Sequence, residues 1–253
     1  MNSILESLYH RKSTRVFTQE TVSIEIKNQL IEAAMQAPSA GNMHLYSIID
    51  IQDLDIKKQL AESCDHQAFI AEAPLVFIFC ADYNRAWQGM KHFIDKEARV
   101  PEVGDMFLAM SDALICAQNM VVAAESFGLG SCYIGDILEN YEYHRDLLKL
   151  PVAVWPICML VIGYPTTQQK DRPKPKRFDP NFVLHTNSYQ SFDSVKHQNH
   201  INLFFLNHPK KLNEKDYYTD LYKRKYTSDF TQEMNRSVKV IINSLDESKL
   251  HTK

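Results

Sequence analysis

The stretch HRKSTRVF, residues 10–17, is rich in groups that bind anions. Arg11, Ser13 and Arg15 stand at alternate positions, with Lys12 between the first two. In an extended chain alternate side chains point to the same side, so two guanidinium groups and a hydroxyl would share one face. Like charges at that spacing repel each other unless an anion lies between them. The stretch predicts an anion site, and the alternative for so short a pattern is a solvated basic turn.

Two more segments offer cations or bare backbone. In RPKPK, residues 172–176, two prolines stiffen the chain, so its basic side chains are held at fixed places. The alternative interpretation is a basic surface loop. Three of the seven glycines, Gly128, Gly130 and Gly135, cluster in FGLGSCYIG. A helix C-cap accounts for one of the first two. Gly135 is left over, and it predicts backbone that faces a ligand.

A phosphorylated planar cofactor would use all three segments. Arginine forks and a serine hydroxyl suit phosphate oxygens. A cation at the pyrimidine edge of a flavin stabilises the reduced, anionic ring, and a backbone N–H at flavin N5 orients the hydride-accepting atom. The sequence has no G-x-G-x-x-G after a predicted strand and no P-loop motif, so side chains must hold the phosphate.

Secondary-structure elements must position these segments. The predicted helices and strands alternate or mix along the chain, so the predicted class is α/β or α+β. The continuous apolar run at 73–82 predicts a strand buried on both faces. A long helix over 105–130 is apolar or small on nearly every side, which is typical of a core or an obligate interface. The other predicted elements are helices over 23–36, capped by Ser23, and 54–64, and strands at 45–51, 131–137 and 155–165.

The composition changes near residue 165. The segment 166–181, rich in proline and basic residues, predicts a connection that is neither helix interior nor central strand. Residues 188–207 predict a helix, and residues 208–229 a polar, mobile surface segment. One apolar stripe of a last helix is formed by Phe230, Met234, Val238, Ile241 and Leu245.

Composition and charge exclude several classes of protein. The 253 residues carry a net charge of −3 and a pI near 6.4, which argues against nucleic acid or an anionic membrane as a partner. We expect no signal peptide, and the longest uncharged stretch, 150–165, is too short to span a bilayer. Five cysteines without a C-x-x-C pair argue against a disulfide framework or a zinc site and favour the reducing cytoplasm.

Other chemical motifs are weaker. His197 and His200 lie one helical turn apart, but the sequence suggests no third metal ligand. A G-x-S-x-G nucleophile motif does not occur. Cys132 could be redox-active, although packing in a strand is favoured because no basic residue flanks it. The sequence therefore predicts neither a metal site nor a catalytic nucleophile.

Four motifs occur in the order found in the nitroreductase superfamily. They are HRKSTRVF, APSAGNMHLYSII, DALICAQNMVVAAESFGLGSCYIGDI and MLVIGYP followed by RPKPKRFDPNFVLHTNSY. The chain most resembles the larger, NADPH-preferring branch of flavin reductases and oxygen-insensitive nitroreductases, over residues 3 to about 190. The resemblance implies an α+β homodimer with a mixed sheet flanked by helices and with FMN at the subunit interface.

The resemblance also implies the residues of the FMN site, and it assigns none to a metal or to side-chain catalysis. The phosphate, the ribityl chain and the pyrimidine edge of FMN would be held by Arg11, Lys12, Ser13 and Arg15, and Ser39 and Gln67 would approach the same cofactor. The flavin ring and its N5 atom would face Tyr133, Ile134 and Gly135. The phosphate site would be completed by Arg172 and Lys174. Two positions depart from the family pattern. Arg-Pro-Lys replaces the common Lys-Pro-Arg, and Asp136 stands where a second glycine is common.

The activity that the resemblance implies is reduction of nitroaromatics, quinones or free flavin. NAD(P)H would deliver hydride through flavin N5 in a ping-pong cycle, because the cofactor carries the chemistry. The alternatives are a non-catalytic FMN carrier and another flavin chemistry on the same fold, such as reductive dehalogenation. The choice between NADPH and NADH, the physiological acceptor and the division of roles between the arginines stay open.

The resemblance suggests one domain with two parts. Residues 1–165 would form the FMN-binding core, and residues 166–253 a basic phosphate-site loop and a helical extension that wraps the partner subunit. We expect a cytoplasmic homodimer that acts on a small-molecule electron acceptor, without nucleic-acid or membrane partners.

Overall fold

The computed structural model describes residues 2–94, 97–206 and 213–245. The chain divides into two compact units. One comprises the chain up to Arg172 together with the part from Glu233 onward, and the other comprises Pro173–Gln232.

The first unit is built on a four-stranded sheet with the strand order β1-β2-β4-β3. The strands are β1 (Tyr46–Asp50), β2 (Leu75–Asp82), β3 (Gly130–Ile134) and β4 (Val154–Gly163). Every residue of the two central strands is buried, which confirms the prediction from the continuous apolar run. All the ladders between described strands are antiparallel, and the parallel component expected of a mixed sheet is confined to the isolated Ser13–Ser131 bridge.

Pro156 explains the one irregularity in the central ladder. The register between β2 and β4 shifts between Phe79 and Cys80, which pair with Cys158 and Pro156. Proline has no N–H to donate to a ladder, so a central strand accommodates it at a bulge.

Eleven helices occur in the described parts of the chain. Those that contain residues of the first unit are α1 (Ser3–His10), α2 (Ile24–Met35), α3 (Leu54–Ser63), α4 (Phe69–Glu72), α5 (Asn84–Phe93), α6 (Val103–Ser126), α7 (Tyr141–Leu147), α8 (Thr167–Asp171) and α11 (Asp229–Asn243). Helix α8 corrects the expectation for residues 166–181, because the Thr166 side chain accepts from the Gln169 N–H and caps a short helix before the prolines begin.

The long apolar helix α6 ends earlier than the sequence suggests. Gly128 adopts a φ of +70°, which terminates the helix, and Gly130 already starts β3. One face of α6 is buried, while Phe107, Leu114 and Ile115 on another face are exposed. Within the described residues α6 alone is long and apolar enough to cross a membrane, a test that the core helix of a soluble protein also passes.

Two apolar clusters cover the two faces of the sheet. Phe77 and Phe79 of β2 belong to the larger cluster with buried residues of α2 and α6, whereas Val76 and Ile78 join the smaller cluster with residues of α3 and α4. Alternate residues of a strand face opposite sides, which explains the division. The predicted last stripe contributes Ile241 and Leu245 to the larger cluster, and all five cysteines are free and buried.

The second unit contains a 3₁₀ turn, Pro180–Phe182, α9 (Ser194–Phe205), α10 (Glu214–Leu221) and a π-helical turn, Tyr222–Tyr226. Asp193 caps α9, so this helix begins later than the predicted 188. The predicted polar segment 208–229 is exposed over most of its described part but helical over the two last-named elements, while residues 208–212 lie outside the described residues.

Candidate functional site

Residues 11–17 pair with the edge strand β3 at Ser13 and Thr14, and with the residues just after β4 at Phe17, which forms an antiparallel bridge with Pro165. The Thr14 N–H donates to the Ser131 carbonyl at 2.9 Å, and Ser13 forms a parallel bridge with Ser131. Gly130 permits this approach, because a Cβ at that position would lie 2.8 Å from the Thr14 Cβ. The extended conformation expected for this stretch is therefore confirmed, and β3 is the partner that imposes it.

The end of α8 closes the same corner of the molecule. The Lys12 ammonium donates to the carbonyls of Lys170 and Arg172, and the Arg172 Nη2 donates to the Ser13 carbonyl at 2.5 Å. The buried Gln169 accepts from the Arg15 N–H at 3.3 Å. Thus Arg11, Lys12, Ser13, Arg15 and Arg172 come together from segments about 160 residues apart.

Two guanidinium groups in this corner each hold a buried N–H without a partner. Arg11 Nε and Arg172 Nε have no hydrogen bond to any described residue. An unpaired buried donor costs free energy, more so when it is charged, so both positions favour an anionic acceptor. A cavity of about 280 Å³ opens beside Arg11. Its lining comprises His10, Arg11, Lys12, Thr14, Glu125, Gly128, Leu129, Gly130, Pro165, Gln169 and Lys170.

The Cys132 thiol of β3 lies near the alternate residues Arg11, Ser13 and Arg15. Burial raises the pKa of its thiol, while the Arg15 guanidinium, a hydrogen bond with Ser13 and the Arg11 guanidinium act in the opposite direction. The side chains of Arg11, Ser13 and Arg15 are therefore all close enough to the Cys132 thiol to influence it. Because the raised pKa keeps the sulfur protonated, packing describes Cys132 better than redox chemistry does.

The end of β3 presents the segment expected to face a flavin ring. Tyr133 is partly buried and donates its hydroxyl to Gln118 Oε1 at 3.3 Å, and burial raises its pKa. Ile134 is buried. Gly135 is exposed, its φ of −80° is ordinary, and no atom of a non-adjacent residue lies within 4 Å of the place that a Cβ would take. The free space there leaves its backbone accessible to a ligand.

Ser39 and Gln67 lie on different parts of the molecule. Ser39 precedes a 3₁₀ turn, accepts from the His44 N–H at 3.1 Å and leads into β1. Ser39 thus precedes β1, whereas Arg11 precedes the bridge to β3, and these two strands form opposite edges of the sheet. Gln67 follows α3 and donates to the Cys64 carbonyl at 2.8 Å. Helix α3 packs against the 3₁₀ turn Asp136–Leu138, next to Gly135.

The remaining predicted residues fall in the second unit. Lys174 is partly buried there, just beyond the unit boundary. His200 is buried against the rings of Phe178 and Phe182, and His197 lies beside the rings of Phe192 and Tyr218. Aromatic packing accounts for this pair of histidines.

Sequence reasoning missed an acidic residue beside the site. Glu139 is 6% exposed, and its Oε1 has no partner among the described residues. Burial, helped by the carboxylates of Asp136, Asp65 and Glu233, raises its pKa to about 7. The local signal was weak, because Glu139 follows a short 3₁₀ turn rather than a periodic element.

Comparison with known proteins decides the family. Residues 8–164 match the Nitroreductase family. The chain belongs to the nitroreductase family. It is 34% identical to FMN reductase [NAD(P)H] of Bacillus subtilis over 196 residues, which cover 77% of this chain and 78% of that relative. It is also 34% identical to the oxygen-insensitive NADPH nitroreductase of Salmonella typhimurium over 193 residues, 76% of this chain and 77% of the relative.

Solved structures agree with the fold of this nitroreductase-family protein. The structure of B. megaterium NfrA2 superposes with a TM-score of 0.76 at 29% identity, covering 94% of this chain and 98% of the other. The predicted family and the predicted α+β class are both confirmed.

Proposed function

We propose that this protein is an FMN-dependent oxidoreductase that uses NAD(P)H to reduce nitroaromatics, quinones or free flavin. The observation that carries the proposal is the pair of buried, unpartnered guanidinium N–H groups of Arg11 and Arg172. They lie on a corner that also holds Ser13 and Arg15, and relatives of this chain are named FMN reductase and NADPH nitroreductase.

The residues of this corner fit a phosphorylated anion. Arg11 and Arg172 supply forked donors, and Ser13 supplies a hydroxyl. Lys12 donates to two carbonyls, so its main work is to hold the end of α8 against the extended stretch. Arg15 is exposed and reaches the solvent side of the same face. When bound, FMN supplies the hydride chemistry between the nicotinamide and the acceptor.

Other residues would shape the ring site. Tyr133 and Ile134 form a largely buried wall, and Gly135 leaves backbone accessible beyond it. Gln67 lies four residues after the end of α3, the helix that packs against the adjoining turn Asp136–Leu138. These groups position and orient a ligand, and the proposal needs no side chain as nucleophile or general acid.

We further propose a cytoplasmic homodimer without a membrane or nucleic-acid partner. Ser39 leads into β1, and the arginine corner pairs with β3 at the opposite edge of the sheet, which supports an arrangement in which the second copy supplies Ser39. An exposed apolar stripe on α6 offers a surface for that copy: Phe107, Leu108, Leu114 and Ile115.

The test is the visible spectrum of the purified protein before and after anaerobic addition of NADPH or NADH. We expect a flavin spectrum that bleaches rapidly with at least one nicotinamide. Flavin that stays oxidised with both would favour a carrier of FMN. Protein that stays colourless after incubation with FMN would contradict the proposal.

A further inference from the structure

His144 is fully buried on α7 and joins two segments of the proposed site. Its Nδ1 lies 3.0 Å from the Ile137 carbonyl oxygen, and its Nε2 lies 2.8 Å from the Ser63 hydroxyl. Burial lowers the pKa of the imidazole, so the ring is neutral at pH 7. A carbonyl oxygen only accepts, so Nδ1 carries the proton and Nε2 accepts from Ser63.

Two of the hydrogen-bond partners of His144, Ile137 and Ser63, lie close in sequence to predicted flavin contacts; the Cys64 sulfur is a third, 3.9 Å from Nε2. Ile137 belongs to the turn that begins immediately after Gly135. Ser63 ends α3, four residues before Gln67. Asn140 adds a parallel connection, because its Nδ2 donates to the Ser63 carbonyl at 3.1 Å. One rigid ring therefore fixes the distance between the two segments.

We propose that His144 is a positioning residue, which sets the Gly135 backbone relative to Gln67 through its bond to the Ile137 carbonyl. This inference rests on the proposed function. An apolar side chain at position 144 would remove the donor to the Ile137 carbonyl and would leave the partly buried Ser63 hydroxyl with only the Leu60 carbonyl, 3.4 Å away. The turn would relax to solvate the freed Ile137 carbonyl. A displacement of about 1 Å at a reacting group lowers rates by roughly 100-fold.

The two amide variants separate positioning from general stability. In His144→Asn the amide nitrogen replaces Nδ1 and keeps a donor for the Ile137 carbonyl. In His144→Gln the amide group replaces Nε2 and keeps only the bond to Ser63. Positioning through Ile137 predicts that the asparagine variant resembles the wild type and that the glutamine variant resembles His144→Phe.

Ser47→Ala is the matched control. Ser47 lies on β1, at the edge of the sheet opposite β3, and its hydroxyl donates to the carboxylate of Asp82 at the end of β2. Its loss removes one partly buried hydrogen bond and should lower the thermal midpoint without altering the turn at 135–139.

Two measurements complete the test. Amide hydrogen exchange at residues 135–139, in protein without added nicotinamide, should be about 10-fold faster in His144→Phe and His144→Gln and within about 3-fold of wild type in His144→Asn and Ser47→Ala. The rate of flavin reduction by NADPH in a single turnover should follow the same order, falling about 10- to 100-fold, while the Kd for FMN changes less than about 5-fold because the arginine corner is intact.

Equal exchange at residues 135–139 in all four variants would overturn the inference, as would equal behaviour of the asparagine and glutamine variants. These results are distinct from failure of the proposed function, in which the wild type itself would bind no FMN or would not be reduced. The exchange measurement needs no flavin, so it decides the positioning role in either case.

Discussion

Glu139→Gln should make the protein more stable at neutral and alkaline pH. The side chain is 6% exposed, lies among the carboxylates of Asp136, Asp65 and Glu233, and leaves Oε1 unpartnered among described residues. Burial and these like charges raise the pKa of Glu139 from 4.5 to about 7. Glutamine keeps the shape of the side chain and removes the charge.

The sign and size of the effect follow from proton linkage. Below pH 4.5 the residue is protonated in both the folded and unfolded states, so it adds no pH dependence. Between the two pKa values only the folded state holds the proton, and the wild type loses about 1.4 kcal/mol of unfolding free energy per pH unit. With pKa values of 4.5 and about 7, the advantage of glutamine is about 1.4 kcal/mol at pH 5.5 and about 3 kcal/mol at pH 7 and above.

The assay is urea unfolding of both proteins at pH 5.5, 7 and 8.5. Glu142→Gln is the control, because two hydrogen bonds from Arg236 lower the pKa of Glu142 to about 2. This lowered pKa stabilises the protein above pH 4.5, so the control should lose stability by a constant amount over the tested range. The ion pair is nearly half exposed, so that amount should stay below about 1 kcal/mol. If Glu139→Gln shows no pH-dependent gain, or is less stable than wild type at pH 8.5, the assignment of a buried, protonated carboxyl is refuted.

Three further predictions concern the site and the dimer. Arg15→Ala should raise the Kd for FMN about 10-fold or slow flavin reduction comparably, because it removes a charge-assisted contact; unchanged flavin content and turnover would contradict the site assignment. Gly130→Ala should cost about 1–3 kcal/mol in urea unfolding and weaken FMN retention, since its Cβ would meet Thr14 and push the extended stretch away from β3; a wild-type midpoint would contradict the packing at that bridge. Leu114→Glu should convert the proposed dimer into a monomer that retains less FMN, as measured by light scattering and flavin absorbance, and a dimer of unchanged mass would show that the α6 stripe is not the interface.

Local pattern alone determined much of the architecture. The run at 73–82 predicted a strand buried on both faces, which is Leu75–Asp82 in the structure, and the strand predicted at 155–165 is Val154–Gly163. The alternation of Arg11, Ser13 and Arg15 indicates a shared face in an extended chain, which the structure has. Such features depend only on neighbouring residues and on the periods of helix and strand, so they can be read without knowledge of the fold.

Tertiary structure decided which groups meet. Lys12 could have faced an anion, but it donates to carbonyls near residue 170, because α8 ends beside the extended stretch. His144 meets Ser63 across 81 residues of sequence, and Glu139 lies near acids from other elements. Ser39 belongs to a characteristic motif, and the strand order puts β1, the strand that follows it, at the edge of the sheet opposite β3. These outcomes depend on the order of the strands in the sheet and on which carbonyl groups at the helix ends are left without a backbone partner. The local periodicity of the sequence specifies neither the strand order nor these carbonyl groups.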